Sequence, residues 1–332
     1  MNLSWQIVRL NLKETFSITY GNYSFREALI ISLKSHNSIG FGECTAIDYY
    51  QINLQDFVQK LEVIKKQIEV QKINQPLEFY NFLLTLELPS FLRSALDCAY
   101  WDLFGKLENK SFLESNSIEI KQLPESSITI SVDSIENQIL KIKKSSWNKF
   151  KVKCSHFDES TIKLLLEMNY DIALDSNGSF EIENCVWLQN EMASERFSYL
   201  EQPMKKGIEH YTILESDKYA NWMADEDCQD ETSLELLKPH YKSINIKLVK
   251  CGGLTPALQL IQKARQLNYK IMIGCMTEST IGISAGAVLA PLCDYADLDG
   301  ANLIANDLAK GTTIVHGKIQ LSEKPGLGIS II

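Results

Sequence analysis

This sequence has no surplus of basic residues, no C-x-x-C pair, no long hydrophobic run and no glycine-rich phosphate loop. Each absence excludes something. With 33 Lys and Arg against 42 Asp and Glu, the net charge of -9 repels nucleic acid and anionic membrane, so neither is expected as a partner. Eight cysteines without finger or redox spacing, in a chain long enough to need no disulfide framework, predict reduced thiols and a cytoplasmic location. No apolar stretch is long enough to span a bilayer. The opening MNLSWQIVRLNLKETF alternates apolar and polar like a strand and does not resemble a signal peptide. Neither G-x-G-x-x-G nor G-K-[ST] follows any strand-like run, which argues against a doubly wound nucleotide fold. What remains open is a globular protein with a small-molecule site, and the sequence leaves a homo-oligomer open as well.

The 332 residues, 45% of them hydrophobic, can bury a large core. Up to about residue 118 the pattern reads as strands then helices: WQIVRLNL, REALIISLKS and SIGFGE alternate, and FVQKLEVIKKQIEV and SFLRSALDCAYWDLFGKL show helical periodicity. From about 127 the texture changes to short apolar runs, each followed by a helical stretch: SITISVDS, FKVKCS, YDIALDSNG, FSYLEQP, NWMADED, SINIKLVK, YKIMIGCMTES and YADLDG. Their spacing, roughly 20 to 27 residues, is that of parallel β/α units, and a (β/α)-barrel closes such a series. The expected organisation is an α+β module over 1–118 and a modified TIM barrel over 119–305. The strand-like tail, with HGKIQLSEKPGLGISII at its end, is expected to return from 306–332 to the first module.

Active sites of parallel barrels lie at the C-terminal ends of the strands. The residues there are Lys151 and Lys153, then Asp175, Glu201, Asp225, Lys247, Glu278, Asp297 and Asp299. Any single strand-end carboxylate is more often a helix cap or a solvated loop residue. In KFKVKCS the lysines alternate onto one face, which alone would suit an edge strand guarded by charge. Taken together, the residues are harder to dismiss. Asp175, Glu201 and Asp225 end three successive strands, and three crowded carboxylates repel unless a cation lies between them. Oxygen-only donors favour a hard dication such as Mg²⁺. Asn177 would be a neighbour of that site, and Glu226 and Asp227 could exchange ligand roles with Asp225. Lys151 and Lys153 flank the acids on one side and Lys247 on the other. A lysine beside a dication and a second ammonium should have its pKa lowered toward neutrality, as a general base needs. Two bases facing each other suit removal of a proton from one face of a carbon and its return to the other.

These residues resemble the enolase superfamily: K-V-K at 151–153, Asp175 in D-S-N-G, Glu201 in E-Q-P, Asp225 in A-D-E-D, and Lys247 in N-I-K-L before the turn K-C-G-G-L. Within it they are most similar to the dipeptide epimerases of the muconate-lactonizing subgroup. G-F-G-E at 40–43 and A-Y-W-D-L-F-G-K at 99–106 resemble that family's N-terminal capping module, so the likeness covers nearly the whole chain. The resemblance implies a (β/α)7β-type barrel with a capping domain, and an isomerase acting on a dipeptide. Lys153 and Lys247 would be acid/base catalysts; Lys151 would neutralise the substrate carboxylate; Asp175, Glu201 and Asp225 would bind Mg²⁺, which stabilises an enediolate in the superfamily. Asp297 and Asp299 would hold the dipeptide's ammonium, and Thr129 and Cys275 would line the site. Lys149 has no assigned role.

Some positions depart from the family. Where relatives acting on alanyl-glutamate carry an arginine, the position aligned through T-F and R-E-A is Gly21. An acidic second residue would then lack a counter-charge, which predicts a small or apolar C-terminal residue, with Tyr20 and Tyr23 shaping the pocket. Arg26 is near enough to replace the missing cation, and would favour L-Ala-D/L-Glu instead. Asp227 stands where Ser is usual and Ala301 where Pro is common. Rivals are an o-succinylbenzoate synthase or cycloisomerase, whose dicarboxylate substrate D-L-D would repel; a non-catalytic binding protein; and a Schiff-base aldolase, which leaves three acids unexplained.

Overall fold

The structure is a computed structural model that describes residues 1–19 and 21–332. Tyr20, expected beside the pocket, lies outside the described residues. The alternating opening forms β1 (Asn2–Ile18), antiparallel to β2 (Gly21–Ser35), which in turn pairs with β3 (Ser38–Thr45). Three helices cover this sheet: α1 (Leu54–Glu69), α2 (Pro76–Leu84) and α3 (Ser90–Glu108). In α1 the buried residues Leu54, Phe57, Leu61, Ile64 and Ile68 recur at helical spacing, and the Asn53 side chain caps its first turn by accepting from Gln55 N. The G-F-G-E stretch has a steric reason: a Cβ on Gly40 or Gly42 would fall 2.1 Å from Ala99 O or 1.9 Å from Ala95 O. Only glycine lets β3 lie this close to α3.

The eight apolar runs form eight parallel strands in sequential order: β4 (Ile128–Ile130), β5 (Lys149–Lys153), β6 (Asp171–Asp175), β7 (Leu200–Glu201), β8 (Trp222–Ala224), β9 (Ser243–Ile246), β10 (Lys270–Gly274) and β11 (Tyr295–Asp297). The ends meet through a parallel bridge between Ser126 and Ala296, with Ser127 N donating to Ala296 O at 3.0 Å. A helix follows every strand except β11, after which comes only the short turn Gly300–Leu303. The architecture is therefore a (β/α)7β barrel with an N-terminal antiparallel-sheet module. Ala173, Tyr199, Met223 and Met272 pack together on its axis, so the interior is filled and the charged residues rest on an apolar layer.

After the barrel the chain runs back along the first module. Ala305 N donates to Asn11 O at 2.8 Å, Phe112 N to Gly326 O at 2.9 Å, and Leu327 N to the buried Asp102 at 2.8 Å. All eight cysteines are free thiols. Among the described residues no helix is long and apolar enough to cross a membrane.

Candidate functional site

Parallel register decides which strand ends become neighbours. Lys153 lies opposite Asp175 and Asp175 opposite Glu201; Glu201 pairs with Met223, which puts Asp225 two residues farther out, just past the end of β8. Asp175, Glu201, Asp225, Lys151, Lys153 and Lys247 are all buried at this mouth. Lys153 Nζ is 2.5 Å from Asp175 Oδ2 and 3.0 Å from Asn177 Oδ1. Across the acids, Lys247 Nζ is 2.7 Å from Asp225 Oδ2. Lys151 forms a close ion pair with Asp297 and lies 3.4 Å from Glu201 Oε2 and 3.7 Å from Asp175 Oδ2.

Three partners were not legible as site residues. Lys250, in the K-C-G-G-L stretch read only as a turn, is buried and donates to Asp225 Oδ1 at 2.6 Å, Asp225 O at 2.5 Å and Asn245 O at 3.0 Å. Its separation of three from Lys247, around the single turn Leu248–Cys251, was the available signal. Asn245 donates to Glu201 Oε1 at 2.7 Å. Gln202 accepts from Asp225 N at 3.1 Å and Asp227 N at 3.2 Å, tying the end of β7 to that of β8. Asp227 is thereby turned away from the mouth: its oxygens accept from Gln202, Gly207 N and the Tyr241 hydroxyl. Glu226 keeps one buried oxygen without a hydrogen bond, Oε2, while its Oε1 accepts from Asn177 at 3.4 Å.

The electrostatics follow from burial and crowding. Burial pushes Glu201 up to about 7 and the Asp175 charge adds to it; Glu226 is pushed to about 8 by burial and by Asp225. Asp225 goes the other way, because Lys247 and Lys250 outweigh its burial and hold it well below the carboxylate range. Burial opposes the Lys247 ammonium, but Asp225 and Glu201 outweigh it and hold Lys247 well above the ordinary lysine range. Lys151 is raised in the same way, against its burial, by Asp297, Glu201 and Asp175. The physical reason is the direct carboxylate contact each ammonium makes.

Among the described residues no three acidic, histidine or cysteine side chains are gathered closely enough to enclose an ion. The donor set nevertheless fits a hard dication. Asp175, Glu201 and Asp225 offer only oxygen from adjacent strands, and Glu201 Oε2 is buried with no hydrogen-bond donor.

The remaining expected residues lie around one pocket lined by Thr129, Lys151, Lys153, Asp225, Lys247 and Cys275, with Asp297 and Asp299 beside them. β11 ends at Asp297, so Asp299 leaves the strand alternation. Asp297 accepts from Ser127 Oγ at 2.8 Å besides its Lys151 pair; Asp299 accepts from Thr129 N at 2.7 Å and is pushed up to about 6 by burial and by Asp297. The far wall comes from the first module: Phe16, Ile18, Ile47, Tyr49, Tyr50 and Arg26. Gly21 is not among the lining residues, whereas Arg26 is. The Arg26 guanidinium is buried 3.5 Å over the Tyr23 ring, and its Nε has no hydrogen-bond partner. Glu278, also a strand-end acid, lies outside the pocket near Glu43; burial and that neighbour push it up to about 8.

Residues 135–332 match the family described as enolase C-terminal domain-like. The chain is 35% identical over 341 residues to an L-Ala-D/L-amino acid epimerase of Maribacter sp., covering all of this chain and 99% of that protein. It is 34% identical to a protein of the same description from Flavobacterium johnsoniae, both covered in full. Its fold is similar to that of a dipeptide epimerase from Enterococcus faecalis, complexed with Mg and L-Leu-L-Tyr, with TM-score 0.88, 24% identity and 99% of each chain covered.

Proposed function

The chain belongs to the enolase C-terminal domain-like family, and from that premise we propose that it is a dipeptide epimerase that inverts the α-carbon of the C-terminal residue. The observation that carries this reading is the placement of Lys153 and Lys247. They lie on strands either side of the acids, and each is buried against a different carboxylate. One of them takes the α-proton from one face as base; the other, as ammonium, returns a proton to the opposite face; the roles exchange for the other stereoisomer. Asp175, Glu201 and Asp225 are the residues that would hold Mg²⁺. When bound, the ion supplies charge stabilisation for the substrate carboxylate as the α-proton leaves. Lys151 adds positive charge on the same side. Asp299, with Asp297, receives the peptide ammonium, which also disfavours the dicarboxylate substrates of a synthase or cycloisomerase. In this reading residues 1–118 with 306–332 form the cap over the barrel of 119–305, and the protein works in the cytoplasm.

The apolar wall of Phe16, Ile18, Ile47 and Leu303 supports a small or apolar second residue. Arg26 favours a second reading, L-Ala-D/L-Glu, because its buried Nε lacks an acceptor in the same pocket. Incubating the Mg²⁺-loaded protein with a dipeptide library in D₂O decides both points. Deuterium is expected at the C-terminal α-carbon, and no exchange with any dipeptide defeats the epimerase reading. Preference for alanyl-glutamate over apolar partners selects the Arg26 alternative.

A further inference from the structure

At the end of the barrel away from the acids, a cavity of about 260 Å³ opens among the N-terminal ends of β8, β9, β10 and β11. We propose that this cavity is a binding site for a phosphate-type oxyanion, held by Lys238, Lys242 and Lys270. In a chain of net charge -9, three lysines line one cavity, and among the described residues none has a carboxylate within ion-pairing distance.

The three cavity lysines make only neutral contacts. Lys238 Nζ donates to Asn268 O at 3.0 Å; Lys242 Nζ donates to Lys218 O at 2.7 Å and Asn221 Oδ1 at 3.2 Å; Lys270 Nζ lies 5.9 Å from the centre of the Tyr295 ring. Each ammonium carries three donors, so hydrogen-bonding capacity remains for a multi-acceptor anion. Lys238 and Lys242 are half-buried, and burial holds both below the ordinary lysine range. For Lys242 the charges of Glu195 and Asp217 oppose this, and that of Lys270 adds to it more weakly. Ammonium groups lining a partly desolvated cavity are stabilised by an anion that replaces the water they lose.

Ser198 and Ser243 also line the wall, their hydroxyls donating to Asp171 and to Trp222 O. A neighbouring cavity shares Ser198 and Tyr295; its acids Asp171 and Asp294 are paired with Lys149 and Arg265, and Glu125 accepts from Asn148 Nδ2 at 3.2 Å.

The ligand chemistry, a tetrahedral oxyanion of charge near -2, could come from free phosphate or from a phosphorylated small molecule. Calorimetric titration of the full-length, metal-free protein with inorganic phosphate and with glycerol phosphate, at ionic strength fixed by chloride, tests the site. One-site saturable binding of phosphate is expected, weakened at least tenfold in Lys242→Gln and in Lys270→Gln, with α-proton exchange unchanged in both. Glycerol phosphate binding as tightly as phosphate assigns the cavity to phosphorylated molecules; binding of inorganic phosphate alone assigns it to the free ion. Absence of saturable heat, the same signal from chloride, or undiminished binding in the double variant overturns the proposal.

Discussion

Lys250 shows how one residue can matter without touching a substrate. Its ammonium is buried against both the side chain and the main-chain carbonyl of Asp225. Replacing it by methionine keeps the length but removes the donor of Asp225 Oδ1 and one donor of the Asp225 and Asn245 carbonyls, Asp225 O keeping Cys228 N, and breaking a buried ion pair from one side costs about 3–5 kcal/mol. Lys250→Met is expected to lower the urea midpoint by the corresponding amount, with the slope unchanged, and a midpoint within error of the parent would refute this. Lys153 and Lys247 carry a different expectation. Lys153→Ala and Lys247→Ala should each lose about 10²–10⁴-fold in α-proton exchange from one stereoisomer and less from the other. Monitoring exchange from the L,L and L,D dipeptides separately in D₂O checks it; equal, undiminished rates in both variants would sink the two-base scheme.

At the scale of elements, Asp97 joins α3 to the barrel helix Leu254–Gln266. Its carboxylate accepts from Thr255 N at 2.9 Å and Thr255 Oγ at 2.8 Å, capping the first turn of a helix whose own preceding residue is Gly253. Helix N-termini favour negative charge, yet complete burial pushes this carboxyl up to about 7. Between the unfolded value near 4 and 7 the folded protein therefore binds the extra proton. The contribution to stability is fully present below about pH 4 and is lost as pH rises to 7, a decline on the order of 2–4 kcal/mol. Urea denaturation at pH 5 and at pH 8 should show this loss in the parent and much less of it in Asp97→Asn, which cannot ionise; the same slope in both would exclude Asp97 as its source. Gly40 and Gly42 act at the same scale. They read in sequence as half of a motif, and in the structure they are the reason β3 and α3 can touch.

Over the whole molecule, a dication bound among Asp175, Glu201 and Asp225 would draw together the ends of three strands separated by as many as 50 residues. A ligand that binds only the folded state stabilises by about 2.7 kcal/mol at a hundred times its Kd. Thermal melts with and without saturating Mg²⁺ are thus expected to show a rise in Tm that chelation reverses and that Glu201→Gln or Asp225→Asn abolishes. A Tm indifferent to Mg²⁺ would count against those three as ligands.

The sequence by itself determined the barrel. Eight apolar runs at a β/α repeat admit few closures, and strand periodicity placed their last residues at one mouth, so Lys151, Lys153, Asp175, Glu201, Asp225 and Lys247 could be grouped by position, while the choice of Lys153 and Lys247 as bases came from the family resemblance. It could not determine pairings made across strands, because those depend on register and on side-chain reach. Only the tertiary structure put Lys151 against Asp297, engaged Asp227 with Gln202 and Tyr241, buried Lys250 beneath Asp225 and brought Arg26, not Gly21, to the pocket wall. The same contacts set the charge states. A lysine's proton affinity depends on which carboxylate lies within a few ångströms, and that distance is fixed only once the chain has folded.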